Sequence, residues 1–115
     1  MNDAIQLLED MKYIDKTLER YKVEYALNKD DEYRQLINDN RSVLIKKKKT
    51  VMRCMKKMKT SSQRIIQLRY FDGLTIEDVV SQINYTPRRT YNKIDEALQE
   101  FTKHFIELHT GVDVK

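Results

Sequence analysis

Glycine and proline are nearly missing from this chain: 2 Gly and 1 Pro in 115 residues, where average usage supplies about 8 and 6. Neither occurs between Met1 and Asp72. Turn-rich β-sandwiches and barrels, and Gly-rich phosphate loops, need more of both and are excluded. Tryptophan is absent and cysteine occurs once, at Cys54. A lone cysteine forms no internal disulfide and no Cys-based zinc site, and a reducing cytoplasm is the expected compartment. No apolar run approaches the ~20 residues that span a bilayer. The opening segment, MNDAIQLLED, is acidic and amphipathic, unlike a signal peptide. There are no paired carboxylates in an apolar stretch and no Ser-His-Asp arrangement. His104 and His109 are five apart, a spacing that does not stack them on one helix face. The expectation is a protein that is not an enzyme and uses no metal or cofactor.

What the chain has is charge, 35% of its residues against 40% hydrophobic ones, with a net charge of +4. That net value hides three blocks. Residues 1–32 carry 5 Lys/Arg and 9 Asp/Glu, residues 33–60 carry 10 and 1, and residues 61–115 carry 7 and 8. The positive field is therefore local and suits an anionic surface.

The spacing of apolar residues predicts helices. Ala4, Leu7, Met11, Ile14, Leu18, Tyr21 and Tyr25 recur by threes and fours, as a heptad seam does. A second seam holds Tyr33, Ile37, Asn40, Leu44, Val51, Cys54 and Met58, with Lys47 at one seam position. Its phase is offset by one residue, about 100° around a helix. One straight helix would place the two seams on different faces, so a break is expected near Asn28–Asp31, where Asn-Lys-Asp-Asp offers cap residues. Two long antiparallel helices, 2–27 and 31–59, follow, with a single kinked helix as the alternative. Beyond Lys59, Ser61 or Ser62 is placed to cap a helix over 63–71 that Asp72-Gly73 ends. Thr75 opens a helix over 76–83 with Asp78 in an approximate capping box. Thr86 caps a further helix, 87–109, with Pro87 at its first position. Gly111 follows its end, and residues 111–115 read as a frayed tail. The predicted fold is all-α: a long helical hairpin or coiled coil over 1–59, then a tri-helical helix-turn-helix module over 60–110.

Short helix, tight turn and a helix capped by Thr-Pro is helix-turn-helix grammar. In the last helix Tyr91, Ile94 and Leu98 are expected inward. Arg88, Arg89, Asn92 and Lys93 then lie at its outward N-terminal end. In this motif that end reaches base edges in the major groove. Arg holds guanine O6 and N7 through two bonds, and Asn holds adenine N6 and N7 likewise. Thr86 and the helix N-terminus suit a phosphate. The plainer alternative is a solvated first turn. Basic residues there oppose the helix dipole at a cost of ~0.3–1 kcal/mol each, which a binding role explains.

These residues carry a resemblance. Residues 62–101 resemble region 4 of sigma-70-type factors, most specifically in Leu68-Arg69-Tyr70 and Asp72-Gly73-Leu74-Thr75-Ile76-Glu77-Asp78-Val79. Arg89-Thr90-Tyr91-Asn92-Lys93-Ile94 and Ala97-Leu98 look closer to phage regulators of the ArpU and RinA kind, small region-4-like proteins that control late or packaging genes. The resemblance spans about 40 of the 115 residues. It implies a tri-helical DNA-binding module whose contacts are Thr86, Arg88, Arg89, Asn92 and Lys93, in a phage or mobile-element transcription regulator. Asn84 stands where region 4 usually has Gly, and Pro87 replaces a polar residue. Nothing resembles the sigma parts that bind the −10 element.

Lys46, Lys49, Arg53, Lys56 and Lys57 fall within about 100° of helical arc, opposite Leu44, Val51, Cys54, Met55 and Met58. The functional reading is contact with the DNA backbone. The alternative is a solvated coiled-coil face paired with the acidic residues of 9–32. Cys54, in a seam, reads as a small core residue although cations surround it. Met52, Met55 and Met58 read as core filler. Asp95, Glu96 and Glu100 read as a solvated charge run. The expected partners are double-stranded DNA, a second copy joined through the seams, and RNA polymerase, with no membrane. A DNA-packaging recognition protein, a polymerase-docking protein that reads no DNA, and a membrane-surface protein are the rival readings.

Overall fold

A computed structural model describes residues 3–111, and among them every regular element is helical. The order is α1 (Asp3–Leu27), α2 (Asp31–Lys56), α3 (Thr60–Ile66) continuing as a π-helical turn (Gln67–Phe71), α4 (Ile76–Ile83) and α5 (Pro87–Thr110). Of the tail expected over 111–115, only Gly111 is described. It ends α5 in the left-handed conformation at φ 70°.

The break between α1 and α2 falls at residues 28–30, where local chemistry places it. Asp30 Oδ1 accepts the Glu32 and Tyr33 N–H groups at 2.9 and 3.5 Å. Asn28 Oδ1 accepts the Asp30 N–H at 3.0 Å, and Arg34 Nε donates to the Asn28 carbonyl. The α1 and α2 segments then run side by side in opposite directions. Tyr33 pairs with Glu24 near the turn, and Lys48 reaches Asp15 at 2.7 Å further along.

The core gathers residues from both ends of the chain. Leu8, Met11 and Ile14 of α1 meet Val51, Cys54 and Met55 of α2, Ile65 and Ile66 of α3, and Ile94, Ala97 and Phe101 of α5. Past Ile14, α1 has no buried residue, and before Val51, α2 has only Ile37. The far half of this helix pair therefore projects from the core. The radius of gyration, 16.7 Å, accordingly exceeds the about 13 Å of a rounded domain near this size.

Five details differ from the sequence expectation. Leu8, outside the first seam, is fully buried, whereas Asn40 and Lys47 of the second seam are exposed. The α2 helix stops at Lys56 rather than 59. No serine caps α3: Ser62 Oγ instead donates to Glu100, which also accepts the Lys59 N–H. Met52 is 40% exposed and so fills no core. In α5 the buried set is Thr90, Ile94, Ala97 and Phe101, and Tyr91 is 55% exposed. Both sets obey helical spacing. Small Ala97 and compact Thr90 let α5 approach its neighbours closely, which the larger Tyr91 and Leu98 do not.

Candidate nucleic-acid interface

The α4–α5 connection is three residues long, and each has a defined task. Asn84 ends α4 at φ 56° and ψ 32°, a left-handed conformation that Asn tolerates better than most residues. This accounts for Asn where a Gly was the usual residue. Tyr85 is half-buried. Thr86 turns extended and caps α5, its Oγ1 accepting the Arg89 N–H at 3.1 Å. Pro87 follows at the first helical position, where its missing N–H has no intrahelical partner to lose. At the other end of α4, Thr75 Oγ1 accepts the Asp78 N–H at 3.2 Å. Glu77 and Asp78 place negative charge at that helix start.

The outcome is an α5 N-terminus that faces solvent with no acidic residue in its first turn. Thr86, Arg88, Arg89 and Asn92 are all exposed. With Thr90, Ile94, Ala97 and Phe101 inward, Arg88 and Asn92 point most directly away from the core, and Arg89 flanks them at 100° per residue. The Arg89 guanidinium lies 4.8 Å from the Tyr85 ring centroid, a cation–π contact that holds the long side chain over the turn. Lys93 is placed differently. It is half-buried, and its Nζ sits 3.3 Å from Glu96. Asp95 and Glu96 are exposed one turn further on, so the cationic part of this face ends there.

Two contributors went unread in the sequence. Tyr85 stands four residues before Arg89, a separation that brings side chains together at a helix start. Tyr91 lies exposed beside Asn92 because the inward face of α5 is rotated from the apolar spacing.

The second cationic group lies elsewhere. Lys46, Lys49, Arg53, Lys56 and Lys57 are all exposed on the outer face of α2. Lys46 shares a cleft with His109, and Arg53, Lys56 and Lys57 share one with His104 and Leu108. These α5 residues are 15 to 20 positions past Arg89, or about 22–30 Å along the helix axis. The two groups thus stand at separate places on the molecule.

Among the described residues, no cluster of three or more His, Cys, Asp or Glu side chains has metal-binding geometry. Burial pushes the Cys54 thiol upward against the opposing pull of Lys57 and Arg53. Burial likewise raises the Tyr70 phenol, with Arg69 opposing it. No helix among the described residues is long and apolar enough to cross a membrane. No protein-family model, curated protein or solved structure matches the chain.

Proposed function

We propose that the protein is a sequence-specific DNA-binding transcription regulator that reads the major groove with the N-terminal end of α5. In this reading α3 with its π-helical turn, α4 and α5 form a tri-helical helix-turn-helix module of the sigma region 4 kind. The α1–α2 pair is the helical hairpin that carries it. The observation that supports the reading best is the exposed first turn and a half of α5. There Arg88, Arg89 and Asn92 project from a helix start that is capped by Thr86 and free of acidic residues.

The chemistry matches the task. Two guanidiniums suit guanine edges, and the Asn92 amide suits an adenine edge. The exposed helix N-terminus and the Thr86 hydroxyl suit a phosphate oxygen. Arg89 stacked on Tyr85 arrives ordered, which lowers the entropy lost on binding. Tyr91 adds an aromatic edge beside Asn92 for contact with a thymine methyl. Lys93, tied to Glu96, belongs to the rim and contacts phosphate rather than bases. The acidic residues that follow limit the reading to the first turns of the helix.

The test is enrichment of fragments from genomic DNA, with the Arg88→Ala, Arg89→Ala variant as control. The reading expects a defined set of duplex fragments for the wild type and none for the variant. Equal enrichment by both proteins would refute it.

A further inference from the structure

The sequence left open whether the cations of 46–57 are balanced by the acidic residues of 9–32, and the geometry bears on that choice. Lys48 is, among the described residues, the one cation of 46–57 that takes a carboxylate partner, Asp15 at 2.7 Å, on the side of α2 that faces α1. Among the described residues, Lys46, Lys49, Arg53, Lys56 and Lys57 form no ion pair. Asp3 and Asp10 line the cleft beside Lys46 without closing on it. Five exposed positive charges therefore run along about 16 Å of one helix face without an ion-pair partner among the described residues.

Holding like charges together in this way is unfavourable in the free protein, and a polyanion relieves it. We propose that the outer face of α2 is a second, sequence-independent site for the phosphate backbone of duplex DNA, separate from the α5 tip. The proposal rests on the DNA-binding reading above and adds a second contact to it. The stripe lies about 22–30 Å behind Arg89 along α5. One molecule thereby engages either two duplex segments or one duplex curved around it. The spacing favours a chain of phosphates over a compact anion, because the charges are spread along a line, Arg53, Lys56 and Lys57 beside one cleft and Lys46 beside another.

An anionic membrane is the other extended polyanion, and the packing disfavours it. Interfacial helices bury an apolar face beside their cations. The apolar face of α2, with Val51, Cys54 and Met55, is already spent in the core.

The experiment compares three proteins on a labelled duplex of scrambled sequence, titrated from about 50 to 200 mM salt. They are the wild type, the Arg88→Ala, Arg89→Ala variant, and a variant with Gln at positions 46, 49, 53, 56 and 57. Each neutralised phosphate contributes about 0.9 to the slope of log affinity against log salt. The five-fold variant is expected to bind at least about tenfold more weakly, with a slope reduced by up to about 4.5. The Arg88→Ala, Arg89→Ala variant removes two charges and is expected to lose less affinity for this duplex than the five-fold variant, with a slope reduced by no more than about 2. A milder Lys49→Gln, Arg53→Gln pair should fall between, which guards against a folding defect in the five-fold variant. Wild-type affinity and slope in the five-fold variant would overturn the proposal. So would wild-type protein that ignores the scrambled duplex, or that binds vesicles of phosphatidylcholine and phosphatidylserine as tightly as DNA. Failure of the α5 reading looks different: fragment selection would then survive the loss of Arg88 and Arg89.

Discussion

Thr90 carries a hydroxyl into the core, fully buried and without a hydrogen-bond partner. Such a group costs about 1–3 kcal/mol. Valine has the same shape and nearly the same helix propensity, so Thr90→Val should raise unfolding stability by about 1 kcal/mol in urea titration. A loss of stability would mean that the hydroxyl is satisfied. Cys54 and Tyr70 set a pH dependence. Burial raises both groups above their ordinary values, so the folded state favours their neutral forms. Their contribution is complete below the unfolded pKa values, about 8.5 for a thiol and 10 for a phenol. It is lost as pH rises through the folded ones. Melting temperature should therefore fall progressively above about pH 8.5, and Cys54→Ala should blunt the first part of that fall. An identical pH profile in the variant would contradict the assignment. At this scale the sequence was only partly informative. That Cys54 belongs to a core seam was readable from spacing. The burial of Thr90 in place of Tyr91 was not, because two interleaved sets share the helical period and only close packing against a neighbour selects between them.

The helices themselves were the most legible level. Two long periodic runs, the Asp30 cap, the Thr75 and Thr86 caps, Pro87 and the left-handed residues Asn84, Gly73 and Gly111 are all local signals, set by backbone sterics and nearby side chains. The start of α3 escaped because its cap is tertiary. Glu100 of α5 accepts the Lys59 N–H at 2.7 Å and the Ser62 hydroxyl at 2.8 Å, across 41 and 38 residues of sequence. Read along the chain, Glu100 looks like one more solvated acid. In the fold it places negative charge at a helix N-terminus and ties α3 to α5. Glu100→Ala should cost about 2 kcal/mol and Ser62→Ala about 1, with amide exchange accelerating across α3 in both. Equal stability of Glu100→Ala and wild type would show that this tie contributes nothing.

Across the whole molecule the buried positions of the two heptad seams are used inside one chain, where α1 and α2 pack on each other and on α5, while Tyr25, Tyr33, Asn40 and Lys47 of those seams are exposed. Partnership between copies must then use what those seams leave uncovered. The α1–α2 pair exposes Tyr13 at 60%, and its projecting half exposes Leu36 and Val43 at 54% each. Tyr13 and Val43 line a groove that also holds Asp10 and Lys47. In a two-fold pairing, Asp10 of one copy can meet Lys47 of the other. If the proposed DNA-binding function holds, a dimer of this kind would double the half-sites contacted. Sedimentation should give twice the 13.9 kDa chain mass, reverting to the single mass in Leu36→Glu, Val43→Glu. A monomer throughout the micromolar range would exclude pairing. This level was the least legible in the sequence. The charge blocks were countable, but the place of the α2 stripe relative to the α5 tip depends on how the helices stack, which periodicity does not encode.

The most direct test of the account is discrimination: the affinity for a genomic fragment enriched by the wild type, divided by that for a scrambled duplex at the same salt concentration. The account predicts a ratio of about 10³ or more for the wild type and a ratio near one for Arg88→Ala, Arg89→Ala. An unchanged ratio in that variant would contradict the claim that the start of α5 reads DNA.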